Sequence, residues 1–588
     1  MRKVVYSFLF IGALSLAGCT LPQMVKMSKD QNLTVTPNPL EVHKDTVTFD
    51  MAANLPVKML KKGTAYTLNT YYKHGEKEQA LDPIAFKAED YPNSATEQPK
   101  TTKTFSFAYS PEMKSGVLEV EGVASKGAKS KATPRMQVAT GVITTSKLVK
   151  PVAYAAYADH GYNNQEELTP IVIPDFIFEQ GRSVLRTSEI RSPKGKQLDA
   201  FIASKNATRT VTITGTHSPE GAERINSKLS PDRAAAIEKF YRAEMKKYDY
   251  KGKADSIKFI LKPVIQDWNE FKNVLASYDG ISSEEKTEYL NIINSGGTFE
   301  SQEKAMQKLG TYRKIFKDVY PKLRTAKTEI LVVKEKKTDA EIAVLAKQIT
   351  QGANADTLSF EELMYAATLT PSLEEKVAIY EAATKKGQNW NAHNNLGAAY
   401  IAQAIENPSN AAAMADKAIA QLQLAAKIQE SAEVHANLAS AHMLKGNPYA
   451  AYASATKATG LTGDNASGLN GVKGSAEIFL AKYADAVRSE SAATDNADNL
   501  FNKGLAQILT KDYQNAMTSF KEASEKDSNY AAAHYGAAIA AARLDNAENV
   551  VSNLANAVKA DPNLKEAALA DLEFAKYAAT ESFRNALK

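Results

Sequence analysis

Cysteine occurs once in 588 residues, at position 19, and tryptophan twice. A single thiol excludes an internal disulfide and any cysteine-built metal site. Beyond the first twenty residues no apolar run reaches the roughly eighteen residues that a membrane-spanning helix needs. An excess of one charge is also lacking. Lys and Arg total 72, Asp and Glu 67, and the net +5 is too small for this length to argue for nucleic acid. The eight histidines form no metal-spaced cluster; His435 and His442 share a helix face and read as packing residues. No Gly-x-x-x-x-Gly-Lys, His-Glu-x-x-His or Gly-x-Ser-x-Gly pattern is present. These absences argue against an enzyme, and no metal or cofactor is expected.

The start of the chain does carry information. "MRKVVYSFLFIGALSLAGCT" has Arg2 and Lys3, then an apolar run from Val4. The run is about fifteen residues, short for a membrane span and right for the core of a signal peptide. Leu16, Ala17, Gly18 and Cys19 resemble a bacterial lipobox. The resemblance implies a lipoprotein signal peptide over 1–18, an acylated Cys19 of the palmitate-bearing kind, and a lipid-anchored linker over 19–29. Acyl chains hold a membrane by about 0.8 kcal/mol per buried CH2. "CTLPQMVKMSKDQN" lacks the acidic cluster of surface-exported lipoproteins of the Bacteroidetes type, which favours an outer-membrane protein facing the periplasm.

Residues 30–165 alternate apolar and polar positions in short runs such as "DTVTFDMAANL", "TAYTLNTYY" and "GVLEVEGVA", broken by Pro, Gly, Asn and Asp. This predicts an all-β sandwich of immunoglobulin-like style. "SKGAKSKATPR" reads as a basic, solvated hairpin tip. Residues 168–333 alternate strand and helix, with a helical excursion over about 282–320. Strands are expected at "IVIPDFIFEQG", "TRTVTITG", "SIKFILKPV" and "LRTAKTEILVV", and helices behind Ser192-Pro193 and from Ser230-Pro231.

Residues 340–588 are Ala-rich and helical, with internal repeats. Leu396, Gly397 and Tyr400 keep tetratricopeptide spacing. Leu438, Ala439 and Ala451 repeat it, as do Gly504, Ala516, Phe520 and Ala523, and then Gly536, Ala547 and Pro562. Small residues at Gly504 and Ala516 let two helices approach, and Phe520 fills the gap to the next pair. The pattern resembles the tetratricopeptide family. It implies a solenoid whose concave groove is offered to another envelope protein.

The stretch "GTHSPEGAERINSKLSPDRA" places Gly215, Gly221, Asn226, Leu229, Ser230, Arg233 and Ala234 on a strand, a loop and a helix. In these positions residues 168–333 resemble the OmpA C-terminal family, an α+β fold known for holding peptidoglycan. The resemblance implies an arginine, Arg233, that meets a stem-peptide carboxylate, and a loop braced by Asn226. In the family a loop aspartate meets the ligand's ammonium; here that position is Ser218, preceded by His217. A hydroxyl brings no charge, and the difference costs on the order of tenfold in affinity. Glu220 is the nearest acid that could replace it. Two outcomes stay open: Ser218, Glu220, Asn226 and Arg233 hold peptidoglycan, or Arg233 pairs internally with Asp232, Glu220 or Glu223. The expected protein is a lipid-anchored envelope scaffold with the sandwich as spacer, contacting peptidoglycan through the middle domain and other envelope proteins through the repeats. The alternative is an adaptor in an outer-membrane secretion or assembly complex that does not bind the wall.

Overall fold

Alternation of apolar residues builds the first layer pair. In the strand Thr46–Asn54, Val47, Phe49, Met51 and Ala53 point inward. In Ala65–His74, Tyr66, Leu68 and Tyr72 do the same from the opposite side. The computed structural model describes residues 20–250, 253–462 and 467–588. The signal peptide 1–18 and Cys19 lie outside the described residues. The chain forms two units, residues 162–341 and the remainder, and each is described by itself.

The larger unit begins with the sandwich. One sheet centres on Thr46–Asn54, flanked antiparallel by Asn32–Thr36 and Lys100–Ala108, with Leu40–His43 and Val142–Ile143 at its end. The other runs Lys77–Lys87, Ala65–His74, Val117–Lys126 and Lys129–Ala132, with Met136–Thr140 also on Val117–Lys126. Two boundaries differ from expectation. Residues 20–27, expected within a linker, form the helix Thr20–Met27, which buries Leu21 and Met24 in the sandwich core. The last strand of the sandwich ends at Ile143 rather than near 165, and the chain from Val149 to His160 has neither helix nor strand.

From Ile342 the same unit is an array of antiparallel helix pairs. They are Trp390–Glu406 with Ala411–Ile428, Ala432–Leu444 with Pro448–Thr462, Ser467–Phe479 with Tyr483–Ser491, Ala497–Leu509 with Tyr513–Lys526, and Ala531–Arg543 with Ala547–Ala560. Close approach is enforced by missing side chains. A Cβ on Gly397 would stand 2.7 Å from Leu422. Phe520 lies between two glycines, with a Cβ on Gly504 reaching 2.9 Å and one on Gly536 2.5 Å from its ring. The ring thus joins its own pair to the next, as the repeat spacing predicts. Phe574, Phe583 and Leu587 cover the last pair.

The smaller unit has a four-stranded sheet in the order Leu168–Ile177, Thr325–Val333, Thr208–Gly215, Lys258–Pro263. Only the last two are parallel. Helix Pro193–Ala203 starts behind Ser192, whose hydroxyl accepts from the Gly195 amide, as expected for an N-cap. The next helix, Glu223–Lys247, begins earlier than the Ser230-Pro231 signal, with Pro231 inside it. Burial of Asn226 and Leu229 extends it N-terminally. The helical excursion begins at Asn269 and has a core of its own, including Trp268, Phe271, Tyr289, Phe299 and Tyr320.

Candidate functional site: a filled groove and a closed arginine

The first helices of successive pairs carry a polar ladder. Asn395, Asn437, Ser440, Ser475 and Asn502 are all buried on this series, and all meet the chain's own segment Val149–His160. The amides of Lys150, Val152, Tyr154, Ala156 and Ala158 donate in turn to Asn502 (2.9 Å), Ser475 (3.5 Å), Ser440 (3.2 Å), Asn437 (2.8 Å) and Asn395 (2.7 Å). Every second residue is read, as along one edge of a strand. Three asparagines also donate back to the carbonyl of the residue they accept from: Asn502 to Lys150, Asn437 to Ala156 and Asn395 to Ala158. Each such bond contributes about 1 kcal/mol net, whereas a buried amide left unpaired costs about 1–3 kcal/mol.

Side chains complete the seat. A Cβ on Gly468 would come 2.7 Å from the Tyr154 ring, Tyr157 stands 6.2 Å from Tyr380, and His160 5.1 Å from Tyr365. Burial pushes the Tyr154 and Tyr157 hydroxyls up to about 12. The expectation of a groove open to a partner is therefore corrected: residues 149–160 fill it. Recognition of main chain explains why this segment needs no sequence motif of its own.

Beside this strap the sandwich locks onto the last pairs. Arg543 donates to Glu573 (2.6 Å) and Glu41 (2.8 Å), and the Thr145 hydroxyl donates to the same Glu573 (2.5 Å). Burial would raise the Glu41 carboxyl, but bonds from His43 and Arg543 hold it down at about 2. His43 Nδ1 lies 2.8 Å from the Tyr483 hydroxyl, and Ser146 donates to the Val42 carbonyl at 2.7 Å.

In the smaller unit, Gly215 lets the helix press on the strand, since a Cβ there would come 2.0 Å from the Ser230 carbonyl. This contact carries Arg233 inward, to 1% exposure. Its guanidinium donates to the carbonyls of Thr216 (2.7 Å), Arg182 (3.1 Å) and Glu179 (3.2 Å). Burial, then the neighbouring Arg324, lowers its pKa to about 10, against the pull of Glu220; it stays a cation. Its partners are backbone carbonyls, not Asp232, Glu220 or Glu223.

The loop acids have a different partner. Arg324 donates to Glu220 at 2.7 Å and to the Ser218 hydroxyl at 2.9 Å, and Ser218 donates to Glu220 at 2.6 Å. Asn226 donates to the Glu220 carbonyl at 3.0 Å. So Ser218, Glu220 and Asn226 come together, while Arg233 faces away into carbonyls. Nearby, Glu303 accepts from the Tyr312 and Tyr320 hydroxyls; burial raises its carboxyl above the usual range. The cavity beside His217, between Trp268 and Phe299, is about 20 Å³, room for about one water. Among the described residues no group of three or more His, Cys, Asp or Glu is placed to hold a metal, and no helix is long and apolar enough to cross a membrane.

Sequence reasoning missed Arg324 and the ladder. The ladder had a signal: Asn395, Asn437 and Asn502 each stand two residues before the small residue of their repeat, Gly397, Ala439 and Gly504. Arg324 had none.

No family model matches the chain, and no curated protein matches it. Among solved structures, it is similar to the APC/C hetero-tetramer Cut9–Hcn1, at 14% identity over 62% of this chain and 64% of that one, TM-score 0.32. It is similar to the C-terminal part of a TPR repeat-containing protein from Cytophaga hutchinsonii, at 15% identity over 39% and 92%, TM-score 0.28. A third is PilW, a type IV pilus biogenesis factor, at 17% identity over 43% and 100%, TM-score 0.26. The tetratricopeptide-type character of the array rests on its helix pairs and their Gly–Phe packing.

Proposed function

We propose that the chain is a non-enzymatic scaffold of the cell envelope, held by lipid at Cys19 to the periplasmic face of the outer membrane, that does not take peptidoglycan at Arg233. The middle unit is a relative of the OmpA C-terminal family whose ligand pair has been turned inward. The observation that carries this reading is the saturation of Arg233. Three internal carbonyls satisfy it at 1% exposure, and Arg324 takes the loop's acid. A stem peptide would have to displace the carbonyls that hold Arg233, and to reach Glu220 it would have to break a buried ion pair at a cost of about 3–5 kcal/mol.

What remains is architecture. The strap laces the sandwich to the array, the groove is filled in cis, and the outer faces of the repeats are left for envelope proteins. This is the adaptor alternative raised by the sequence, here preferred to the wall tether.

The test is co-sedimentation of the purified chain with peptidoglycan sacculi. No retention of wild type is expected. Retention of wild type that Arg233→Lys abolishes would overturn the reading. Acylation is scored separately, by the mass of the N-terminal peptide from membrane fractions.

A further inference from the structure

One end of the sandwich is basic, and the register shows which end it is. Asn32 pairs with Asn54, Asn54 with Lys100, and Ala65 with both Lys87 and Ser125. The loops 55–64 and 88–99 and the hairpin tip at Gly127 therefore crowd together where the chain enters the fold. Six exposed lysines stand there: Lys58, Lys61 and Lys62 from one loop, and Lys126, Lys129 and Lys131 from the hairpin. The entering segment adds exposed Lys26 and Lys29. Among the described residues no ion pair engages any of these lysines. The acids of this end, Asp30, Glu89, Asp90 and Glu97, are fewer. Val57 is 38% exposed among the lysines, and a basin of about 510 Å³ lies between the lysine loop and Tyr91.

The opposite end is occupied. The turn after Leu40–His43 carries Lys44, which lies 4.8 Å from the Tyr449 ring of the array, and His43 meets Tyr483. The nine residues of Thr46–Asn54 separate the two ends by about 27–30 Å at strand rise. Helix Thr20–Met27 lies against Val117–Lys126 and Lys129–Ala132, with Leu21 and Met24 in the core. Cys19 immediately precedes this helix, so no free linker parts a lipid there from the fold.

We propose that this end of the sandwich is a docking surface for an anionic phospholipid bilayer. It rests on the proposed anchor at Cys19 and deepens it. Acyl chains supply attachment, and the lysines set which end meets the headgroups. Basic residues at a bilayer surface are attracted within about a Debye length, roughly 10 Å at 0.1 M salt. The sandwich is then not a spacer; its basic end rests on the membrane and its other end carries the array.

The test uses the chain from Thr20 onward, which contains every described element, with vesicles of phosphatidylcholine containing about 30 mol% phosphatidylglycerol and with phosphatidylcholine alone. Binding to the anionic vesicles only is expected, lost when salt rises to about 0.5 M. K61E/K62E/K129E/K131E should weaken it about tenfold or more. K521E/K559E/K565E/K588E makes the same charge change on the array and should leave it unchanged. Failure of the wild type to bind, equal binding to phosphatidylcholine, or an equal loss in both variants would overturn the proposal. So would binding to heparin or nucleic acid with none to vesicles. All eight positions are exposed, and circular dichroism checks that the fold is kept. Because Cys19 is absent from this chain, failure here leaves its acylation to be judged on its own.

Discussion

Arg324 and Glu220 form an ion pair at 2.7 Å, with side chains 9% and 8% exposed. The arginine comes from the segment that leads into the last strand of the sheet, the acid from the loop after the second. Ser218 bridges them. The pair therefore ties the loop to the segment that leads into Thr325–Val333.

Breaking that pair is costly. Arg324→Met leaves the buried Glu220 carboxylate with the Ser218 hydroxyl but without its cation and should destabilise the smaller unit by about 3–5 kcal/mol. Arg324→Met combined with Glu220→Leu removes both charges and should recover much of the loss. Urea unfolding followed by Trp268 fluorescence, in a Trp390→Phe background, reads both. Equal stability of the single variant and wild type would refute the pairing.

The strap predicts an alternating exchange pattern. Amides of Lys150, Val152, Tyr154, Ala156 and Ala158 are bonded and should exchange slowly, with faster neighbours at Ala153, Ala155 and Tyr157. Asn437→Ala unpairs the amide of Ala156, whose carbonyl keeps the bond from Asn394, and should cost about 1–3 kcal/mol. Hydrogen exchange should then speed up first at Ala156. Uniformly fast exchange along 150–158 would refute the filled groove.

Stability should fall as pH rises above the ordinary carboxylate range. Glu490 is 4% exposed in the array. Burial, then the neighbouring Glu477, raises its carboxyl well above 4.5. In the window above 4.5 the folded chain binds more protons here than the unfolded one, so unfolding free energy falls with pH until the folded carboxyl ionises. Glu490→Gln removes the titration. The variant should gain on wild type between pH 5 and pH 8 in thermal unfolding, as an order-of-magnitude effect of about 1 kcal/mol or more. A variant that is no more stable at pH 8 would count against it. Glu41 acts with the opposite sign. Held down at about 2, it contributes stability that is lost as pH falls from 4.5 toward 2.

Much of the architecture could be read beforehand, and the reason is locality. Period-two alternation in "TVTFDMAAN" is enough for a strand with Val47, Phe49 and Met51 on one face. The spacing from Gly504 to Phe520 is enough for a close helix pair. The misses share one cause. Residues 20–27 read as linker because their two core residues, Leu21 and Met24, are too few to mark a face until the sandwich receives them. Helix Glu223–Lys247 starts before its Ser-Pro signal because burial of Asn226 and Leu229 outweighs a local stop.

The candidate site was less legible. Asn226 donates to the carbonyl of Glu220, and Glu220 carries the loop's acid. Its partner, though, lies 104 residues away at Arg324, and no spacing rule joins them. Likewise the segment 149–160 looks like any polar-flanked connector until Asn395, Asn437 and Asn502 are seen to meet its amides.

The amino-acid sequence by itself determined the elements, their order and the small residues that let helices touch, since propensity and periodicity act between near neighbours. Only the tertiary structure decided that Arg233 is closed, that the groove is filled by the chain's own strap, and that scattered lysines share one end of the sandwich. Those are matters of burial and of charges brought together through space, and distance along the chain does not set them.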